Sequence, residues 1–277
     1  MFGKDGYVVR DIKNHSKDKL DFLRRYTHAF LEALKKQKPP KYYLDLFSGP
    51  GICFNSETQN EDPGSPLIAI KEGASSYHFE KYIFVDINKE NIDALRNRIA
   101  KLYPAILQRI EFIQSDCNDV ADEIYKLLPQ YSFTMSFIDP TGLDIHFDTI
   151  KRITDNKRAD LIINFATGTS VKRNLHMFMK QKLSKLDKFL GTDVWKEKIK
   201  QSSNFATVTK VLAEIYKTQL ESIGYSDVEP IADMQLVKST EKHLQLYYLV
   251  FASKSERGHG IWRNIIKKQP AGQRSIF

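Results

Sequence analysis

Four aspartates in this chain stand where a carboxylate could face a ligand. Asp45 lies in Tyr42-Tyr43-Leu44-Asp45-Leu46-Phe47, and Ser48-Gly49-Pro50-Gly51 follows directly. Asp86 closes the run Lys81-Tyr82-Ile83-Phe84-Val85-Asp86. Asp116 closes Arg109-Ile110-Glu111-Phe112-Ile113-Gln114-Ser115-Asp116, and Asp139 closes Ser132-Phe133-Thr134-Met135-Ser136-Phe137-Ile138-Asp139. One such acid is unremarkable. Three in succession, beside a glycine turn on an earlier run, gather negative charge along one edge. Clustered carboxylates are costly unless a partner brings hydroxyls, amines or positive charge. Gly49 and Gly51 lack Cβ atoms, so the backbone there can turn sharply and come close to a bound molecule.

The elements that must hold these residues follow from hydrophobic pattern. The aromatic and aliphatic runs read as buried strands, with a fifth at residues 159–165. Amphipathic stretches separate them, including one from Asn88 as cap to about Tyr103. Strand–helix alternation implies right-handed βαβ units and a parallel sheet covered on both faces. Such sheets bind ligands at the carboxyl ends of their strands. The chain closes with strands near residues 228–236 and 244–252, whose short link suits an antiparallel pair at the sheet edge. The expected fold class is therefore α/β, a doubly wound and mostly parallel seven-stranded sheet with a terminal antiparallel hairpin.

Before the first strand, Ser16 reads as the cap of a helix to about Lys36. Leu20, Leu23, Tyr26, Thr27, Phe30, Leu31 and Leu34 form its apolar face, and Pro39-Pro40 stops it. After Gly51, residues 55–62 read as a polar loop, either a lid over the binding edge or a tolerated surface insertion. Ser65 with Pro66 reads as the start of the next helix. Three units result: an N-terminal helical extension (1–40), a Rossmann-like domain (41–166 and 226–277) and a helical insertion (167–225).

The chain has 277 residues, 42% hydrophobic and 12% aromatic, with a net charge of +8. A sequence pI near 9.2 favours an anionic partner, and nucleic acid leads that class. The insertion carries eleven Lys or Arg against five Asp or Glu. Lys172, Arg173, Lys180, Lys182, Lys185 and Lys188 interleave there with Phe178 and Phe189. This suggests a substrate-facing basic surface, and a solvated lysine face is the competing interpretation. Cys53 and Cys117 form neither a metal spacing nor a disulfide framework, so a reducing cytoplasm and no metal are expected. No signal peptide or membrane span is visible.

Five parallel strands and a hairpin, with a glycine turn on strand one and acids on strands two to four, resemble the Rossmann-like methyltransferases that use S-adenosylmethionine. More narrowly, four stretches resemble the bacterial three-Cys-motif partner family. They are Asp45-Leu46-Phe47-Ser48-Gly49-Pro50-Gly51, Gly64-Ser65-Pro66-Leu67-Ile68-Ala69, Phe137-Ile138-Asp139-Pro140-Thr141-Gly142, and Tyr248-Leu249-Val250-Phe251-Ala252-Ser253 with Arg257-Gly258. The resemblance implies a cofactor site at Asp45, Phe47, Ser48, Gly49, Gly51, Asp86, Ile87, Asp116 and Cys117. Asp86 would accept from the ribose hydroxyls and Asp116 from the adenine amine. Asp139 and Pro140 would face the methyl group and the substrate, with Thr141, Asp144, Lys172 and Arg173 on the substrate side. A protein partner from the same operon is also expected. One departure matters: Thr141 stands where the family more often has an aromatic residue.

Methyl transfer is an in-line displacement at a sulfonium, and the protein's main work is alignment. Asp139 could hold and orient an exocyclic amine while Pro140 stiffens the turn. The expectation is methylation of a nucleic acid, RNA or DNA, at such an amine. The alternative is a nucleic-acid- or protein-binding module that keeps the fold without turnover, which the missing aromatic favours. An NAD-dependent oxidoreductase is disfavoured because the third glycine of G-x-G-x-x-G is absent. Neither cysteine has the Pro-Cys setting of cytosine-C5 methylation. His146 could reach substrate or begin a helix, and Asn164 stays open.

Overall fold

The computed structural model describes residues 1–74, 78–200, 204–225, 228, 233–238 and 245–267. The described chain begins with β1 (Arg10–Ile12) and α1 (His15–Ala33), then β2 (Lys41–Asp45), β3 (Ile52–Asn55), β4 (Asn60–Pro63) and α2 (Ser65–Gly73). Next come β5 (Lys81–Asp86), α3 (Lys89–Leu102), β6 (Ile110–Gln114), α4 (Ala121–Leu127), β7 (Phe133–Ile138), α5 (Phe147–Thr154) and β8 (Arg158–Phe165). A helical run of α6 (Lys172–Lys180), α7 (Lys185–Leu190), α8 (Trp195–Ile199) and α9 (Phe205–Ser222) follows. The chain then adds β9 (Met234–Lys238), β10 (Gln245–Ala252) and α10 (Glu256–Lys267).

Seven strands form one sheet in the order β6-β5-β2-β7-β8-β10-β9. Strands β2, β5, β6, β7 and β8 pair in parallel, and β10 runs antiparallel to both β8 and β9. The expected sheet and closing hairpin are present, with β10 inserted beside β8 and β9 outermost. The chain steps from β2 outward to β6 and returns to place β7 on the other side of β2. That reversal opens a crevice at the carboxyl ends of the strands.

Alternation along each strand sorts side chains to two apolar layers. Tyr43, Phe84, Met135, Ile162 and Phe251 pack with Leu23, Tyr26 and Phe30 of α1 and Trp262 of α10. Leu44, Ile83, Ile163 and Val250 pack on the other face with Ile150 of α5, Phe189 of α7, Trp195 of α8 and Tyr216 of α9. The helices after β8 therefore share one core layer with the sheet.

Local departures from expectation have local causes. Asn14, not Ser16, precedes α1, and Ser16 lies buried in the first turn. Residues 55–62 are not a free polar loop. Residues on either side of the tip pair as a β3–β4 hairpin, and β1 joins β3 in parallel to make a second, three-stranded sheet. Gly64 caps α2, because the Ser65 hydroxyl is engaged with Asp45 instead. Within the helical insertion α6 and α7 are separate helices, since Ser184 starts α7 with a reciprocal capping box to Asp187. The strand near 228–236 is displaced to β9, and residues 229–232 lie outside the described ones.

Candidate functional site

Four strand ends and the N-terminal segment enclose a cleft of about 740 Å³. The turn after β2 supplies Phe47, Gly49 and Pro50. The end of β5 supplies Asp86, Ile87, Asn88 and Asn91, the loop after β6 supplies residues 115–118, and the loop after β7 supplies Thr141, Leu143, Asp144 and His146. Arg10 from β1 and Lys185 and Lys188 from α7 complete its wall.

Asp86 is the organising carboxylate. Its Oδ2 accepts from the Gly49 N–H at 2.8 Å, and its Oδ1 accepts from the Asn88 N–H at 2.8 Å and from Asn91 Nδ2 at 3.1 Å. The first bond ties the end of β5 to the glycine turn of β2. Gly49 has φ +62° and Gly51 φ +87°, a left-handed backbone that glycine adopts without penalty. Beside Asp86, Ile87 leaves 67% of its surface exposed on the cleft wall. Asn88 caps α3 as expected, accepting from the Glu90 N–H.

Asn118 fixes the next wall. Its Nδ2 donates to Asp116 Oδ1 and to the Asp144 carbonyl, both at 2.8 Å. Its Oδ1 accepts from the His146 N–H and the Thr149 hydroxyl. Asp116 Oδ2 takes no hydrogen bond among the described residues. Asp144 pairs with Lys185 at 2.7 Å. Burial, with Lys188 nearby, lowers the His146 pKa, so the imidazole is neutral at pH 7.

The other expected residues lie elsewhere. Asp45 is fully buried beneath the turn, where the Phe47 N–H and Ser65 hold it, and burial pushes its pKa up to about 7. Asp139 also lies outside the main cleft. It lines a chamber of about 120 Å³ with Ser48 and Gly51, and Arg10 and Pro50 line both spaces. Lys19 Nζ contacts both Asp139 oxygens and Asn164 Nδ2 donates to Oδ1 at 2.7 Å. Burial alone would raise the Asp139 pKa, but Lys19 and Arg10 outweigh it and hold the group below the usual carboxylate range. Pro140 is buried, and Lys172 and Arg173 are exposed on α6 away from both spaces. Cys53 and Cys117 are buried with thiol pKa values pushed up to about 11 and about 12, so neither is a ready nucleophile.

The fold is a doubly wound, mostly parallel α/β sheet closed by an antiparallel pair. The sequence matches no family model, and no curated protein matches it. Similar solved structures include protein LPL1258 from Legionella pneumophila, 12% identical, covering 89% of this chain and 91% of that one at a TM-score of 0.47. TYW2 from M. jannaschii, in complex with AdoMet, is 12% identical, with coverages of 85% and 74% and a TM-score of 0.42. Trm1 from Pyrococcus horikoshii, with S-adenosyl-L-methionine, is 14% identical, with coverages of 88% and 57% and a TM-score of 0.44. At such values no residue role passes from them to this chain.

Two residues central to the site escape a reading of the sequence. Arg10 sits in a polar leader without pattern. Lys19 had a signal: it lies four residues before Leu23, on the apolar stripe of α1, where a cation needs a buried partner. Among the described residues no cluster of His, Cys, Asp or Glu could hold a metal ion, and no helix is long and apolar enough to cross a membrane.

Proposed function

We propose that this chain is an S-adenosylmethionine-binding methyltransferase acting on a nucleic acid, with an exocyclic base amine as acceptor. Asp86 carries the proposal. Three protein donors orient its carboxylate at a strand end, yet Oδ2 takes only the Gly49 N–H and keeps capacity for a sugar hydroxyl. The exposed Ile87 offers an apolar platform for a flat base, and the unused Asp116 Oδ2 offers an acceptor for an amine. These residues fit an adenosyl group. When bound, S-adenosylmethionine supplies an electrophilic methyl group.

The chain's own residues then position the acceptor. Asp139 is ionised and already engaged by Lys19, so it accepts hydrogen bonds and is a poor proton store. An amine donating to it would have its lone pair oriented, and its proton would leave to water after transfer. Lys185 and Lys188 at the cleft wall suit a phosphate backbone. Within this proposal, the quoted motifs favour the three-Cys-motif partner proteins, cytoplasmic residence and a protein partner encoded nearby.

Calorimetry with S-adenosylmethionine tests the cofactor half. We expect binding by the wild type and at least a tenfold loss in Asp86→Ala, the size of a charge-assisted hydrogen-bond loss of about 1.5–3 kcal/mol. No binding by the wild type sinks the proposal. The enclosure of Asp139 and the presence of Thr141 favour a second reading, a nucleic-acid-binding module without turnover. Labelled methyl transfer to total RNA and DNA separates the two, because only an enzyme labels the pool.

A further inference from the structure

The cleft lies at the carboxyl ends of the parallel strands, and a second cavity opens at their amino ends. It encloses about 300 Å³ between α1, α10 and the first residues of β7 and β8. Phe30, Ala33, Leu34, Phe133 and Ile261 give it an apolar wall. A strand's length, about 20 Å, separates the two spaces. The charges around this cavity are unbalanced. Among the described residues Arg158, Lys254 and Arg257 line it against one acid, Asp160. Asp160 is already served, since the Tyr26 hydroxyl donates to Oδ2 at 2.7 Å and the Ser253 hydroxyl donates to Oδ1. Lys254 is engaged as well. Its Nζ donates to the Thr154 carbonyl at 3.0 Å and lies over the Tyr225 ring. The two arginines are not engaged. Neither guanidinium has a hydrogen bond or ion pair among the described residues. Arg158 stands 5.5 Å from the centre of the Tyr131 ring and 5.6 Å from that of Phe133, which steadies it and leaves its N–H groups free. Arg257 lies in the first turn of α10, where the helix end adds partial positive charge.

We infer that this cavity binds a small organic carboxylate with an apolar body, its carboxyl group taken by Arg158 and Arg257. The inference does not depend on the proposed function. Charge complementarity carries it, because two unpaired guanidiniums beside an apolar wall call for an anion whose other end is apolar. Size limits the ligand. A volume of 300 Å³ is room for about ten water-sized groups at ~30 Å³ each, which is an eight-carbon acid. The wall also selects against a nucleobase. A base would bring ring donors and acceptors to Phe30, Leu34, Phe133 and Ile261, which offer them no partner. An alkyl chain has no such groups to satisfy and gains about fourfold in affinity for each methylene it buries.

Calorimetry on the full chain with three probes tests this. Octanoate has both the charge and the chain, 1-octanol lacks the charge, and butyrate lacks most of the chain. The wild type should bind octanoate at least about tenfold more tightly than octanol, as charge-assisted hydrogen bonds require, and at least about 30-fold more tightly than butyrate. Arg158→Gln and Arg257→Gln should each weaken octanoate about fivefold, and together they should bring it within about threefold of octanol. Both arginines are exposed, so the folded chain should tolerate these changes. Ala33→Phe fills the cavity from α1 and should weaken octanoate at least about tenfold, which decides the matter if the double variant does not fold. Saturating S-adenosylmethionine should leave the octanoate affinity unchanged, because the two spaces lie at opposite ends of the strands. Three outcomes overturn the site: octanol binding as tightly as octanoate, full octanoate affinity in the double arginine variant, or competition between octanoate and S-adenosylmethionine. An absence of saturable octanoate binding up to about 10 mM overturns it equally.

Discussion

Lys19 Nζ lies 2.8 Å from Asp139 Oδ1 and 2.7 Å from Oδ2, joining the first helix to the end of β7 across 120 residues of chain. Both groups are nearly inaccessible, with 10% and 5% of their side chains exposed. Removing either partner strands a charge in a low-dielectric site, which costs about 3–5 kcal/mol. Removing both costs less than the sum.

A double-mutant cycle with Lys19→Met and Asp139→Asn should therefore show a coupling of at least ~1 kcal/mol in denaturant unfolding. Its pH dependence has a definite sign. The folded-state pKa of Asp139 is depressed, so its stabilisation is present above the ordinary value of 3.8 and fades as pH falls through the lower folded value. Coupling should persist at pH 5. A coupling within error of zero would show that the pair adds nothing to folding.

Asp45 predicts the opposite trend. Burial raises its pKa from 3.8 to about 7, so the folded chain keeps a proton that the unfolded chain has lost. Stability from this group is present below about pH 4 and is lost as pH rises to about 7, on the order of 4 kcal/mol in all. Asp45→Asn cannot ionise, so the fall between pH 4 and 7 should disappear from its unfolding curve. A mutant with the same pH slope as the wild type would place the proton elsewhere.

The acids at the strand ends are legible in the sequence because a buried strand is a mostly apolar run, and an acid at its close marks where it meets solvent. Asp86 and Asp116 follow that rule and face the cleft. Asp139 occupies the same sequence position but is covered, because α1 folds Lys19 onto it. Nothing local in Ile138-Asp139-Pro140 records that contact. The β1–β3 pairing is hidden for the same reason, since Arg10–Ile12 is too short to show alternation and pairs with a strand about forty residues later. Ser65 illustrates a third limit: Ser before Pro signals a cap, but the buried Asp45 needs a donor more than the helix needs a cap.

Arg98 organises the N-terminal segment. It donates to the Pro50 carbonyl at 2.7 Å and the Val8 carbonyl at 2.8 Å, and its fork grips Asp5 at 2.7 and 2.8 Å. Its side chain is 2% exposed. Arg98→Ala should cost about 3 kcal/mol or more, because several acceptors lose their donor at once. Arg98→Lys should recover little, since an ammonium cannot reproduce the fork. Hydrogen exchange should show loss of protection at residues 3–12 before the core strands respond. Unchanged protection there would mean that β1 is held by its pairing with β3 alone.

Gly51 joins the turn to the layer beneath it. At φ +87° a side chain is strained, and a Cβ would stand 2.7 Å from Leu95 Cδ1 and 3.5 Å from Leu67 Cγ. Leu95 is fully buried on α3, the helix that carries Asn91, so its side chain has little room to retreat. Gly51→Ala should thus cost about 1–3 kcal/mol of stability and also weaken the Gly49–Asp86 bond by shifting the turn. Gly49→Ala isolates the backbone effect, because among the described residues a Cβ there has only Arg10 Cδ, at 3.8 Å, within contact distance. Denaturant unfolding should rank Gly51→Ala well below Gly49→Ala. Equal losses would assign the whole effect to backbone conformation and remove any role for the packing of Leu95.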